Sequence, residues 1–168
     1  TYTGKGSEGI YICRYNKATG RMILEGVQKG VKNPSFLAID PGKMLLFAVN
    51  ETGEFNGIKG GGVSAFQINR QTGMLSLINQ QSSGGEGPCH ITVFNDGSSV
   101  LVGNYSGGSL SLLPVMQDGS LGKLKYLIQH IGSSINQRRQ EAPHVHCLLL
   151  DQANRYVLVA DLGLDKIM

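Results

Sequence analysis

The side chains of this 168-residue sequence that could take part in catalysis lie mainly in two places. His90 ends a Gly-Pro-Cys-His segment, and Arg138–His146 (RRQEAPHVH) holds two arginines, a glutamate and two histidines. An imidazole can take a proton from water near neutral pH. A guanidinium can bind an anionic group or stabilise an oxyanion. Together these groups are suited to the attack of water on a carbonyl carbon.

Other interpretations of these motifs remain open. His144 and His146 resemble a pair of metal ligands, because alternate residues of a strand share a face. No third ligand is adjacent in the sequence, so we expect no metal and no other cofactor. His90 could equally be an inner-strand histidine tied to a neighbouring loop, and Arg138 with Arg139 could be a solvated charge pair. The sequence lacks a G-x-S-x-G motif, so a serine nucleophile is not supported.

An internal repeat indicates which elements position these side chains. Each repeat has an apolar segment, a turn and a second apolar segment that ends in Asn or Asp. The second segments end at Asn50, Asn104 and Asp161, which are 54 and 57 residues apart. A second two-strand module follows in the first two repeats, and a copy of it opens the chain. Helical periodicity is absent. Four antiparallel strands per repeat predict an all-β fold, a β-propeller of four-stranded blades.

The repeat divides the chain into about three to three and a half blades. We predict part of a blade at 1–30, two blades at 33–82 and 88–130, and the first half of another at 145–168. So few blades cannot close a ring, and their side faces would be exposed to water. We therefore expect a fragment whose remaining blades come from a missing half or from another chain. A small self-sufficient sheet protein is the alternative.

Propeller geometry brings equivalent positions of successive blades together near the central axis. Alignment on the second-strand ends makes Ser35, His90 and His146 equivalent. The same face should receive the loop 132–144, which contains Arg138, Arg139 and Glu141. Asn50, Asn104 and Asp161 are expected to bond turn backbones, and His130 is expected at the surface.

These positions define a candidate site. We predict that His90 or Glu141 is the base, that Arg139 stabilises the oxyanion, and that Arg138 and His146 hold the substrate anion. The remaining binding residues are predicted to be His144, Glu51, Asn104 and Tyr105.

Composition limits the partners. The net charge of +3 is scattered, which suits a small anionic substrate and argues against nucleic acid. No apolar stretch approaches the roughly 18 residues that a membrane helix needs. The three cysteines lack a metal-type pairing and are expected to be buried free thiols, which favours the cytoplasm. A periplasmic location would follow if a leader was removed before Thr1.

Motifs along the whole chain resemble one known family. The matching segments are TYTG (Thr1–Gly4), NPSFLAIDP (Asn33–Pro41), AVNE (Ala48–Glu51), GPCH (Gly87–His90), NYSGGS (Asn104–Ser109), RRQEAPHVH (Arg138–His146) and ADLGLDK (Ala160–Lys166). They are similar to the seven-bladed propeller lactonases, which include bacterial 6-phosphogluconolactonase and fungal carboxy-muconate lactonising enzyme.

The resemblance implies seven blades in the complete fold and a metal-independent lactonase. The implied reaction converts 6-phosphogluconolactone, a small anionic sugar lactone, to 6-phosphogluconate in the pentose phosphate pathway. It also implies that the functional histidine is His90 and that the first functional arginine is Arg138 or Arg139. A lactonising enzyme acting on another acid, or a non-catalytic binding module, would share the fold.

Overall fold

A computed structural model describes residues 2–168 of the chain. Within these residues, the regular secondary structure consists of one 3-10 turn at Thr3–Lys5 and of β-strands, which loops connect. The strands are β1 (Ile10–Tyr15), β2 (Met22–Gln28), β3 (Leu37–Asp40), β4 (Leu45–Asn50), β5 (Glu54–Phe55), β6 (Ile58–Lys59), β7 (Gly62–Ile68), β8 (Leu75–Ser82), β9 (Pro88–Val93), β10 (Ser99–Asn104), β11 (Ser109–Pro114), β12 (Tyr126–Gln129), β13 (Val145–Leu150), β14 (Val157–Asp161) and β15 (Lys166–Ile167).

The strands form antiparallel sheets in chain order. Two four-stranded sheets have the orders β3-β4-β7-β8 and β9-β10-β11-β12. The hairpin β1-β2 precedes them, and the three-stranded sheet β13-β14-β15 follows them. The short hairpin β5-β6 is an addition between β4 and β7 that the repeat did not predict. The blade boundaries inferred from the sequence stay predictions.

Strand β4 shows why the sheets stack face to face. All six of its residues are buried, and its side chains alternate between two apolar clusters. Leu45, Phe47 and Val49 join the cluster shared with the next sheet. Leu46 and Ala48 join the cluster that includes Ile10 of the first hairpin. The continuous apolar run of β4 is therefore explained by cover on both faces.

The first strands of successive sheets lie side by side. Strand β9 contacts β3 of the preceding sheet and β13 of the following one. A third apolar cluster, which includes Leu101, Val145 and Leu148, joins the last two sheets. The sheets are therefore arranged in sequence about their first strands.

The outer hairpins have tight turns that contain glycine. Gly20 and Gly73 have φ angles of 71° and 73°, which L side chains adopt with difficulty. Asn16 and Asn69 close the same turns, because each side-chain oxygen accepts two backbone N–H groups. These tight turns hold the outer strands in register.

Candidate active site

The first strands β9 and β13 each contain a β-bulge near their first residue. In β9, the residue pairs with β10 on either side of the bulge are His90–Gly103 and Pro88–Asn104. In β13, the corresponding pairs with β14 are Cys147–Ala160 and Val145–Asp161. Cys89 and His146 are the extra residues that these pairs leave unmatched. A bulge re-aims the side chain of its extra residue. Cys89 and His146 therefore occupy equivalent positions.

The expected equivalence of His90 and His146 is wrong by one residue. The bulge pairing matches His90 with Cys147 instead. In the preceding sheet, Val49 donates its N–H to the carbonyl of Phe36, so Phe36 belongs with these two. A slip of one residue moves a strand side chain to the other face.

Two rows of side chains result from this register. We call Ser35, Cys89 and His146 the mouth row, and Phe36, His90 and Cys147 the second row.

All three residues of the mouth row line one cavity of about 470 Å³. Tyr2, Glu51 and Tyr105 also line it, and we call it the mouth cavity. Glu51 and Tyr105, both predicted to bind the substrate, directly follow the ends of β4 and β10. Of the predicted site residues, the structure thus brings Glu51, Tyr105 and His146 together.

His90 lies in the second row and is not part of the mouth-cavity wall. Its ring packs on Phe36 with centroids 4.1 Å apart. Its Nδ1 accepts the N–H of Leu148 at 3.4 Å, and its Nε2 lies 3.8 Å from Cys147 Sγ. These contacts assign the proton of the neutral ring to Nε2. Burial, and then the neighbouring His146, lower the pKa of His90.

The lone pair of the neutral ring, on Nδ1 of His90, therefore faces the backbone N–H of Leu148. A role for His90 as the catalytic base stays a prediction, which this geometry does not favour.

His146 is exposed and presents its ring to the mouth cavity. The ring lies edge-on to Tyr105, with centroids 5.7 Å apart and planes at 82°. His146 also borders a second cavity of about 450 Å³, which Gln140 and Lys166 help to line. Within residues 2–168, neither of its ring nitrogens makes a hydrogen bond, and the other three histidines each have at least one ring nitrogen engaged.

His144 connects the loop 132–144 to Tyr105 of the mouth-cavity wall. Its Nδ1 donates to the carbonyl of Tyr105 at 3.0 Å, and its Nε2 lies 3.3 Å from Glu141 Oε1. The pKa of Glu141 is lowered by its own backbone N–H, by His144 and by Arg139. Glu141 and His144 are thus placed behind Tyr105, outside the cavity wall.

The side chains of Arg138 and Arg139 are exposed on the same loop. Their backbone N–H groups donate to the side chain and carbonyl of Asn136, which form a tight turn. Gln140 anchors the turn by donating to the carbonyl of Leu162 at 3.0 Å. Neither arginine lines the mouth cavity, so their roles in binding and catalysis stay predictions.

Two of the three polar residues that end the second strands bond backbone groups, as predicted. Asn50 donates to the carbonyl of Lys32, and Asp161 Oδ1 accepts the N–H groups of His144 and Leu164. Asn104 is fully buried and does not line the cavity, and its Nδ2 donates to the side-chain oxygens of Ser109 and Ser111 rather than to a turn backbone. Substrate binding by Asn104 stays an untested prediction.

The prediction that His130 lies at the surface is wrong. His130 is 7% exposed, and its Nδ1 lies 2.6 Å from Asp161 Oδ2. The pKa of Asp161 is shifted in opposite directions, upward by burial and downward by hydrogen bonds from His130 and two backbone groups, with a net lowering. The sequence missed this pair because His130 follows an exposed outer strand, while its partner comes from the next sheet.

The thiol of Cys89 is held in its neutral form. Burial, followed by the charge of Glu51, raises its pKa to about 12. Its Sγ lies 3.5 Å and 3.6 Å from the carbonyls of Val145 and His146, which places it as a donor across the two sheets. All three cysteines are free, but Cys13 is exposed, contrary to the expectation that every thiol is buried.

Neither a metal centre nor a spanning helix is found in the part of the chain that the structure describes. Within residues 2–168, His, Cys, Asp and Glu form no group of three that could hold a metal ion. Over the same residues, no helix has the length and apolarity needed to cross a membrane.

Comparison with known proteins identifies the fold. The family model described as "Lactonase, 7-bladed beta-propeller" matches residues 1–168. This chain belongs to that family, and the predicted β-propeller class is confirmed.

Two curated relatives are named 6-phosphogluconolactonase. The one from Bacillus subtilis is 33% identical over 99% of this chain and 46% of its own length. The one from Formosa agariphila is 32% identical over 97% of this chain and 45% of its own length. The chain thus spans about half the length of the curated relatives it matches.

A solved structure agrees with these relatives. The Pseudomonas aeruginosa periplasmic gluconolactonase superposes with a TM-score of 0.89 at 33% identity, over 99% of this chain and 47% of that one.

Proposed function

We propose that this chain supplies part of the active site of a sugar-lactone hydrolase that converts 6-phosphogluconolactone to 6-phosphogluconate. The observation that carries the proposal is the position of His146. Its imidazole makes no hydrogen bond within residues 2–168 and faces a cavity with Glu51 and Tyr105. The names of the curated relatives support the choice of substrate.

In this mechanism, His146 acts as the general base. Its imidazole removes a proton from a water molecule in the mouth cavity as the water oxygen bonds to the lactone carbonyl carbon. The tetrahedral intermediate then breaks its ring C–O bond. The alkoxide that leaves takes the proton back from the imidazolium, so the enzyme returns to its starting state.

The loop 132–144 supplies positive charge beside the cavity. We assign to Arg139 the stabilisation of the developing oxyanion and to Arg138 the binding of the anionic group of the substrate. Both side chains are exposed, and in this proposal they move toward the cavity when the substrate binds. Bidentate guanidinium contacts suit both tasks. Glu141, held against His144 and close to Arg139, is assigned to orient the loop rather than to remove the proton.

The proposal is tested by the formation of 6-phosphogluconate from the lactone above the spontaneous rate, using a full-length protein that carries these residues. A panel of other lactones and diacids in the same assay would detect a lactonising enzyme. Binding of lactones without turnover of any of them would overturn the proposal in favour of a binding module.

We also propose a cytoplasmic location and additional blades from outside these residues. Three free cysteines support a reducing compartment. Cell fractionation is the test, because the Pseudomonas aeruginosa neighbour is described as periplasmic.

A further inference from the structure

A tyrosine–glutamate pair forms part of the mouth-cavity wall. The Tyr2 hydroxyl donates to Glu51 Oε1 at 2.9 Å, and both side chains line the cavity together with His146. The hydrogen bond to Glu51 is the largest cause of the raised pKa of Tyr2, so the phenol keeps its proton. This pair lies 49 residues apart in the chain, so its geometry depends on the fold.

Asn33 holds both members of the pair in place. Its Oδ1 accepts the N–H of Thr3 at 3.1 Å, which fixes the segment that carries Tyr2. Its Nδ2 donates to the carbonyl of Glu51 at 2.9 Å, while the N–H of Glu51 donates to the carbonyl of Asn33 at 3.1 Å. Asn33 has a φ of 42°, in the left-handed region that asparagine tolerates better than most residues. One residue therefore connects two distant segments at the cavity.

The chemistry of the pair suits hydroxyl groups. An ionised carboxylate can accept about four hydrogen bonds, and Tyr2 uses one of these positions on Glu51. The remaining carboxylate lone pairs can accept from hydroxyl donors. The oxygen of Tyr2 can itself accept from a further hydroxyl. A phosphate or carboxylate would be repelled at the same place.

We propose that Tyr2 and Glu51 form a hydroxyl-binding subsite that recognises the hydroxyl-bearing carbons of the lactone ring. This inference rests on the proposed lactonase function. It places the polyol part of the substrate against Glu51 and directs its anionic group away from this wall, and it makes the pair a determinant of specificity rather than of proton transfer.

The test compares two lactones that differ in their hydroxyl groups. D-glucono-δ-lactone carries the hydroxyls, and δ-valerolactone has the same ring size without them. The measured ratio is kcat/KM for gluconolactone divided by kcat/KM for δ-valerolactone. It is determined for the full-length wild-type protein and for the variants Glu51→Gln and Tyr2→Phe. We expect each variant to lower the ratio, by about tenfold for Glu51→Gln and by less for Tyr2→Phe, with KM for gluconolactone raised.

Matched controls are available on the outer strands. Glu25→Gln and Tyr126→Phe make the same chemical changes far from the cavity, and the ratio should stay at the wild-type value. Thermal unfolding of each variant shows whether it is folded. A wild-type-like ratio in both folded site variants would overturn the hydroxyl-binding subsite and leave the lactonase proposal intact. An inactive wild-type protein on every lactone would overturn the proposed function and this inference with it.

Discussion

The imidazole of His144 lies nearly parallel to the ring of Tyr105, with centroids 4.5 Å apart and 12° between the planes. The same imidazole donates to the backbone carbonyl of Tyr105. Stacking and hydrogen bonding therefore tie the start of β13 to the end of β10 in the preceding sheet. Because His146 follows two residues later, its position relative to Tyr105 is set by this contact.

Replacing the proposed base should separate the roles of two histidines. We expect His146→Asn to lower kcat for lactone hydrolysis by about a hundredfold or more, because general base catalysis typically contributes that much. His90→Asn should lower kcat by less than about tenfold, because the ring nitrogens of His90 face Leu148 and Cys147. Steady-state rates corrected for spontaneous hydrolysis provide the measurement. The reverse order of effects would return the base assignment to His90.

Loss of the buried pair should destabilise the fold. His130→Leu removes the partner of Asp161, which is 2% exposed. We expect the free energy of unfolding to fall by about 3 kcal/mol, because the remaining carboxylate keeps only its backbone donors. Urea unfolding measures this change. The matched control His146→Leu alters an exposed histidine and should change the free energy of unfolding by about 0.5 kcal/mol or less. Equal losses in the two variants would contradict a stabilising role of the His130–Asp161 pair.

The cysteines should react at different rates. Cys13 is exposed, whereas the pKa of Cys89 is raised to about 12. Since the thiolate is the reactive form, only about one Cys89 in ten thousand is reactive at pH 8. Brief treatment with iodoacetamide followed by peptide mass spectrometry should therefore show labelling at Cys13 before Cys89. Comparable early labelling of Cys89 would contradict the structure, and unfolding in urea should make both reactive.

Stability should depend on pH through His90. Its pKa is lowered in the folded protein relative to an ordinary value of about 6.5. Between the lowered pKa and that value, the unfolded chain binds more protons than the folded one, so the free energy of unfolding decreases as the pH falls through this range. His90→Gln removes this contribution. The stability difference between wild type and variant should therefore decrease between pH 7.5 and pH 5.5 in urea titrations, and a constant difference would count against it.

A methyl group at Gly163 should displace the loop 132–144. A Cβ added there would clash with the carbonyl oxygen of Ala142, which is backbone and cannot rotate away. We expect Gly163→Ala to lower the melting temperature and to reduce kcat/KM by shifting the segment before His146. Gly53→Ala is the control, because its nearest neighbour would be a side-chain atom at 3.9 Å. Identical behaviour of the two variants would show that the loop adapts freely.

The repeat and the residue types were sufficient to predict the class of fold and the end of the sheets where the polar residues meet. Glu51 and Tyr105 could be predicted for the cavity because they directly follow second-strand ends. The alignment failed at His90 because the three positions are not equally spaced from the second-strand ends. Ser35 and His146 precede Asn50 and Asp161 by 15 residues, whereas His90 precedes Asn104 by 14. Cys89 has the matching spacing, so an exact count would have placed it in the mouth row.

Contacts between segments that are distant in the chain could not be predicted from the sequence either. The pairs Tyr2–Glu51 and His130–Asp161 join residues 49 and 31 positions apart, and neither partner lies in a motif that identifies the other. The first residue of the TYTG motif, Thr1, lies outside the described residues. The hydroxyl of Tyr2 nonetheless gives this motif a defined place in the cavity.

The extra residue in β9 and β13 makes the entry to each strand a point where chemistry can change while the architecture is kept. Exchanging the order of Cys89 and His90 would preserve composition and strand length, yet it would bring a second imidazole to the cavity beside His146. The same inserted position thus carries a thiol in one blade and an imidazole in the next, on the same surrounding strand pairing.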